Sequence, residues 1–139
     1  MLRLLRARLL CTVVMGAIVA SSCDDGVVGS STVTGSYTLR TVNGAALPYT
    51  QSQSGTSKSE IVDDVITLFQ GGTYAQTARM RTTTNGSAVT STVESAGSYQ
   101  LLGTSITLLT GDRLTQRIGQ IHANTMTFVE NQVTSEYRK

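Results

Sequence analysis

Along much of the chain, apolar residues return at every second position and hydroxyl side chains fill the gaps. Tyr37 and Leu39 alternate with Ser36, Thr38 and Arg40; Ile106 and Leu108 alternate with Ser105, Thr107 and Leu109; Met126 and Phe128 alternate with Thr125 and Thr127. A period of two places alternate side chains on opposite faces of an extended strand, so these segments predict strands with one buried face and one threonine-coated face. Turn signals separate them. Asn43-Gly44 and Asn85-Gly86 predict tight hairpins, because both central residues of such a turn need positive φ and Asn and Gly tolerate it. Gly71-Gly72, Gly103, Gly111-Asp112 and, more weakly, Asn124 mark further breaks. Short strands at near-regular spacing are the mark of an antiparallel sandwich or barrel.

One stretch is ambiguous. In Glu60 to Phe69 the apolar residues Ile61, Val62, Val65, Ile66 and Phe69 also match a helical stripe. Branching at Cβ favours strand, with Asp63-Asp64 as a turn between two short strands. A tripeptide recurs as Gly35-Ser36-Tyr37, Gly72-Thr73-Tyr74 and Gly97-Ser98-Tyr99, each opening a strand after a turn. A looser repeat relates GSYQLLGTSITLL from Gly97 to GQIHANTMTFV from Gly119. Its loop contracts by two residues, and an even change keeps the same side chains inward. Hairpins that cannot bury a face alone suit a meander closing on itself. The fold class is therefore all-β, an antiparallel meander forming a small barrel of about eight strands over residues 35–139.

The N-terminal region follows another pattern. Arg3, Arg6 and Arg8 precede an apolar run from Leu9 to Ala20, and Ser21-Ser22 lead into Cys23. This is the layout of an export signal. As a helix the run would cover about 18 Å, short of the roughly 30 Å hydrocarbon core of a bilayer. Ala20-Ser21-Ser22-Cys23 resembles the lipobox of bacterial lipoproteins, with Ala20 where the family prefers Leu. The resemblance implies that the Cys23 thiol takes a diacylglyceryl group and that cleavage removes residues 1–22. Cys11 leaves with the leader, so an internal disulfide is excluded. Two or three acyl chains make a stable anchor. Asp24-Asp25 resembles an inner-membrane retention signal of enterobacterial lipoproteins and equally suits the acidic start of a linker. Residues 23–34 combine the lipidated cysteine with a Gly/Ser/Thr-rich tether of about 18 Å root-mean-square length.

Processing also changes the charge. The chain carries 11 basic and 9 acidic residues; losing three arginines leaves eight against nine, a net charge of −1. No basic run remains to suggest nucleic-acid binding. Charged residues make up 14% of the chain, against about 25% in a typical domain.

GSYTLRTVNGAALP, the glycine-tyrosine and TSITL hairpins, and the closing EYRK resemble the lipocalin-like domains of small bacterial lipoproteins. The resemblance implies a β-barrel in the cell envelope, on the periplasmic or extracytoplasmic side of a membrane. Tyr37 stands where lipocalins carry a tryptophan.

Candidate chemistry is sparse. His122, the single histidine, sits beside a predicted turn with no motif to nominate a partner. Asp63 and Asp64 would face opposite ways on a strand, which disfavours a shared metal ion. Arg79 and Arg81 would share a face, to engage an anion or stay solvated. Tyr37, Tyr74 and Tyr99 are the candidates for a ligand-binding mouth, since a phenol offers apolar area and one polar handle; the alternative is that they plug the barrel ends. No nucleophile elbow, phosphate loop or zinc-spaced cluster is present, and neither an enzyme, a cofactor nor a metal is expected. The sequence supports a lipid-anchored module that binds a small hydrophobic ligand or docks an envelope protein through a sheet edge or face. The anchor sets the first test: Cys23→Ser is expected to move the protein from the membrane to the soluble fraction on cell fractionation, and undiminished membrane association would refute it.

Overall fold

The computed structural model describes residues 32–112 and 115–139. The leader over 1–22, Cys23, Asp24, Asp25 and most of the tether lie outside the described residues. Ten strands follow one another: β1 (Gly35–Val42), β2 (Ala45–Ala46), β3 (Tyr49–Ser54), β4 (Ser57–Leu68), β5 (Thr73–Thr84), β6 (Ser87–Leu102), β7 (Ser105–Thr110), β8 (Gln116–His122), β9 (Thr125–Glu130) and β10 (Val133–Arg138). All pairings are antiparallel. From β4 to β10 each strand pairs with the next, β10 pairs with β1, and β1 pairs with β4 to close an eight-stranded barrel. Strands β2 and β3 are additional and flank the closing seam.

The turns explain the connectivity. Asn43 and Gly44 have φ of 52° and 78°, and Asn85 and Gly86 have 50° and 81°, the geometry that matches the twist of two-residue hairpins. Asn131 and Gln132, at 49° and 66°, make a similar turn between β9 and β10 without any glycine to signal it.

The predicted alternation is the observed core. Tyr37, Leu39, Ile106, Leu108, Met126 and Phe128 are all buried, as are Ile66, Leu68, Tyr99, Ile121 and Tyr137. Glu60 to Leu68 are strand, and β4 runs unbroken through Asp63 and Asp64. The acidic pair is therefore not a turn: Asp63 pairs with Arg79 and Asp64 with Ala78, in a ladder that runs on to Leu68. Two register slips alter the alternation of the core. Between Leu39 and Thr41 the β1–β10 ladder skips Arg40, so Val42 rather than Thr41 is buried. Between Ile61 and Asp63 the β4–β5 ladder skips Val62, so Ile61 packs against the core and Glu60 takes the opposite face.

The two poles of the barrel differ. Tyr37, Leu68, Tyr74 and Tyr99 fill the pole where β1 starts. Val33 packs against this core, and the Lys139 ammonium lies 6.0 Å from the Tyr37 ring. At the other pole the long strands β4, β5 and β6 run past their neighbours. Strand β7 pairs only with Gly97–Leu102 of β6, while β5 and β6 remain paired out to Thr84 and Ser87.

Gly119 shows how tight the packing is. It lies opposite Phe128, and an added Cβ would come 2.5 Å from the Thr127 carbonyl oxygen and 2.6 Å from the Phe128 ring. At Gly111 the nearest atom would be 3.6 Å away. Gly119→Ala is therefore expected to cost about 1–3 kcal/mol in urea unfolding through overpacking, with Gly111→Ala much milder; equal effects of the two would contradict this packing.

Candidate functional site

Strand β1 pairs with β4 only through Gly35–Thr38, opposite Leu68–Val65. Beyond that point the two part. The end of β1 takes β2 as its neighbour and the first half of β4 takes β3. The opening between them is a cavity of about 360 Å³. Leu39, Val42, Ile61 and Val133 supply apolar wall, and Gln51, Asp64, Gln76, Arg117, Glu130 and Ser135 supply polar groups. Gln51 reaches it from β3, beside a slip in the β3–β4 ladder between Thr50 and Ser52.

A hydrogen-bonded cluster forms the polar side. Gln76 Nε2 donates to both Asp64 oxygens at 3.0 and 2.8 Å, and the Tyr137 hydroxyl donates to Asp64 Oδ2 at 2.8 Å. Arg117 Nε donates to Glu130 Oε2 at 3.0 Å, and its guanidinium carbon lies 4.3 Å from the Phe128 ring centroid. That contact adds a cation–π attraction of about 0.5–2 kcal/mol. Phe128 meets Tyr137 edge to face at 5.9 Å. Gly119 thus makes room for Phe128, Phe128 supports Arg117 and Tyr137, and Tyr137 holds Asp64. Among the described residues, no buried side-chain nitrogen or oxygen lacks a hydrogen-bond partner.

Burial dominates the titration of this cluster. It pushes the Asp64 carboxyl above its ordinary value, against the opposing effects of the Tyr137 and Gln76 hydrogen bonds and the Arg117 charge. Burial, together with the Asp64 charge, also raises the Tyr137 phenol. Desolvation opposes the charge on Arg117, but its interactions with Tyr137 and Glu130 prevail and hold the guanidinium pKa up. Two carboxyls against one guanidinium give the cavity an acceptor-rich, acidic side.

The residues singled out from sequence lie elsewhere. Tyr37, Tyr74 and Tyr99 are buried at the opposite pole and none lines the cavity. The Tyr37 hydroxyl donates to the Val33 carbonyl at 2.8 Å and that of Tyr99 to the Phe69 carbonyl at 2.9 Å. Their polar handles are thereby used within the fold. His122 is exposed at the end of β8. Arg79 and Arg81 do share a face, where they pair with carboxylates of β4: Arg79 with Asp63 at 3.1 Å and Arg81 with Glu60 at 2.8 Å. Lys58, at 2.6 Å, and Arg81 hold the Glu60 carboxyl below the ordinary carboxylate range. Among the described residues, no group of three His, Cys, Asp or Glu side chains is placed to hold a metal ion.

Sequence reading passed over Arg117, Gln76, Glu130 and Tyr137 as a group. A signal was present: Arg117 is in phase with Gly119 and Ile121, and Asp64 with Ile66 and Leu68. A charged residue on an inward phase marks an internal polar site. Compared with known proteins, the chain matches no family model, no curated protein and no solved structure.

The raised Asp64 pKa has a definite linkage sign. The native state holds this proton more tightly than the unfolded chain, so Asp64 contributes most to stability below its ordinary value of 3.8, and that contribution is lost as pH rises through the folded value. Urea melts of Asp64→Asn and the unaltered chain, from about pH 3 to about pH 7, are expected to show the variant gaining relative stability as pH rises. A difference that stays constant or shrinks would contradict the assignment.

Proposed function

We propose that this protein is a lipid-anchored binding module of the cell envelope, held at Cys23, whose open barrel pole takes up a small amphiphile. The cavity carries this reading. Its size is at the lower end of the roughly 300–1,000 Å³ typical of ligand sites, and it combines apolar walls with a few convergent polar groups. The apolar body of the ligand would lie against Leu39, Val42, Ile61 and Val133. Its head would be a hydrogen-bond donor or a cation facing Asp64 and Glu130. This refines the expected hydrophobic ligand, because a purely apolar molecule would strip water from the polar side and return no hydrogen bond.

Binding suits the cluster better than turnover does. Both Asp64 oxygens accept bonds from Gln76 and Tyr137, an arrangement that orients an acceptor for a ligand. Docking of an envelope protein has one observation in its favour, the outer edge of β6 before Gly97, which no strand pairs among the described residues.

Thermal shifts on residues 23–139 carrying Cys23→Ser provide the test. Hexylamine at about 100 times its Kd is expected to stabilise the fold by roughly 2.7 kcal/mol, a shift of several degrees. Hexanoate, with the opposite charge, is expected to give little or none, and Val133→Trp, which fills the cavity, is expected to abolish the amine effect. No shift with any short amphiphile would overturn the binding reading; an equal shift with hexanoate would overturn the head-group assignment.

A further inference from the structure

We propose that the free edge of β6 pairs antiparallel with the same edge of a second copy of this chain, about a two-fold axis through Ser91. This gives the edge-docking reading its partner and is independent of the cavity.

The edge is long and undefended. Strand β5 covers one side of β6 from Ser87 to Ser98 with no register slip, whereas β7 covers the other side only from Gly97 onward. Among the described residues, no strand pairs with that side of Ser87–Ala96. Residues 87–94 are exposed throughout, including Val89 at 68% and Val93 at 55%. Soluble proteins usually blunt such an edge with lysine, proline or a bulge. Here Ser87 to Ser95 contain no proline and one charge, Glu94.

Sequence and backbone then select the same register. SAVTSTVES reads nearly the same in both directions about Ser91. With Ser91 opposite itself, each Val89 faces Val93 of the second copy, each Thr90 faces Thr92 and each Ser87 faces Ser95. Both valines fall on one face and both threonines on the other, and such matched cross-strand pairs are the stabilising unit of a sheet. Glu94 faces Ala88, so no like charges meet.

The hydrogen-bonding phase agrees. The Tyr99 amide donates toward β5, to the Gly72 carbonyl, whereas the Ala96 carbonyl accepts from Gly111 on the other side. Alternation along an antiparallel strand therefore turns the backbone groups of Ala88, Thr90, Thr92 and Glu94 toward the free edge. The Ser91-centred register sets these residues opposite one another, for about eight interchain backbone hydrogen bonds.

Length agrees as well. Ala96, the last residue before β7, falls opposite Gly86 at the hairpin tip of the second copy. The register thus uses the free edge up to Gly97, where the pairing with β7 takes over. Sliding either way drives the tip into β7 or leaves edge unpaired, and breaks the valine matches. The contact is isologous and closes as a dimer.

The test uses the full chain in its native membrane with a mild oxidant, the unaltered chain controlling for its own thiols. Ser91→Cys is expected to form a disulfide-linked homodimer, since the two positions meet as a non-hydrogen-bonded pair about 4.5 Å apart at Cα. Val89→Cys alone is expected to stay at background, because its counterpart lies four residues away. In the Ser91→Cys background, Thr90→Lys with Thr92→Lys sets like charges opposite one another and is expected to reduce crosslinking severalfold. Thr90→Lys with Thr92→Glu sets opposite charges together and is expected to restore it. These exposed positions leave the barrel core untouched. Homodimer no more abundant with Ser91→Cys than in the unaltered chain, equal crosslinking with Val89→Cys, indifference to the charge pairs, or adducts only with other proteins would each overturn the proposal.

Discussion

The barrel closes through a short seam, the ladder joining Gly35–Thr38 to Leu68–Val65. Without it, the meander would be an open sheet with unpaired backbone groups along both outer strands. The Arg40 irregularity in β1 bends that strand just past the seam. The consequences follow in order: β1 and β4 separate, β2 and β3 take the freed edges, and the interior at that pole is lined rather than filled. A seam running the full length of β1 would leave no cavity. The position of the cavity is thus set by where two strands stop pairing.

Within the opening, polar groups sit in a place where an isolated charge would be costly. Their arrangement limits that cost. Asp64 is held by two donors, Tyr137 is held by Asp64, and Arg117 lies between the Phe128 face and Glu130. The raised Asp64 pKa shows that desolvation is reduced without being cancelled. Such a residue retains part of its unmet demand for charge compensation, which an incoming donor would satisfy. The backbone contributes too: with no side chain at Gly119, the Phe128 ring can lie close enough to support the guanidinium.

Most of the fold is legible in the sequence, because period-two alternation and Asn-Gly turns each have one dominant physical reading. Tyr37, Leu39, Ile106, Leu108, Met126 and Phe128 declare themselves this way. The acidic pair does not. Asp63-Asp64 looks like a turn because two adjacent carboxylates are poorly suited to a half-buried strand, and only the fold brings Arg79 to one face and Gln76 and Tyr137 to the other. Those partners lie 12 to 73 residues away in the chain, beyond any local pattern. Register slips at Arg40 and Val62 are equally silent, since nothing in the neighbouring residues announces that the phase is about to change. The tyrosines invite a functional reading because they repeat at strand starts. In the fold all three rings are buried at one pole, and the hydroxyls of Tyr37 and Tyr99 donate to the Val33 and Phe69 carbonyls.

Both chain ends of the folded domain leave from the tyrosine-capped pole: Gly35 opens β1 there and Lys139 lies beside Tyr37. If Cys23 carries the proposed lipid, the anchor would therefore join the domain at its sealed base, the pole away from the aperture. In that arrangement a ligand of the proposed kind would reach the aperture through water rather than by lateral escape from the bilayer. Anything fused after Lys139 would crowd the headgroups while leaving the aperture unobstructed.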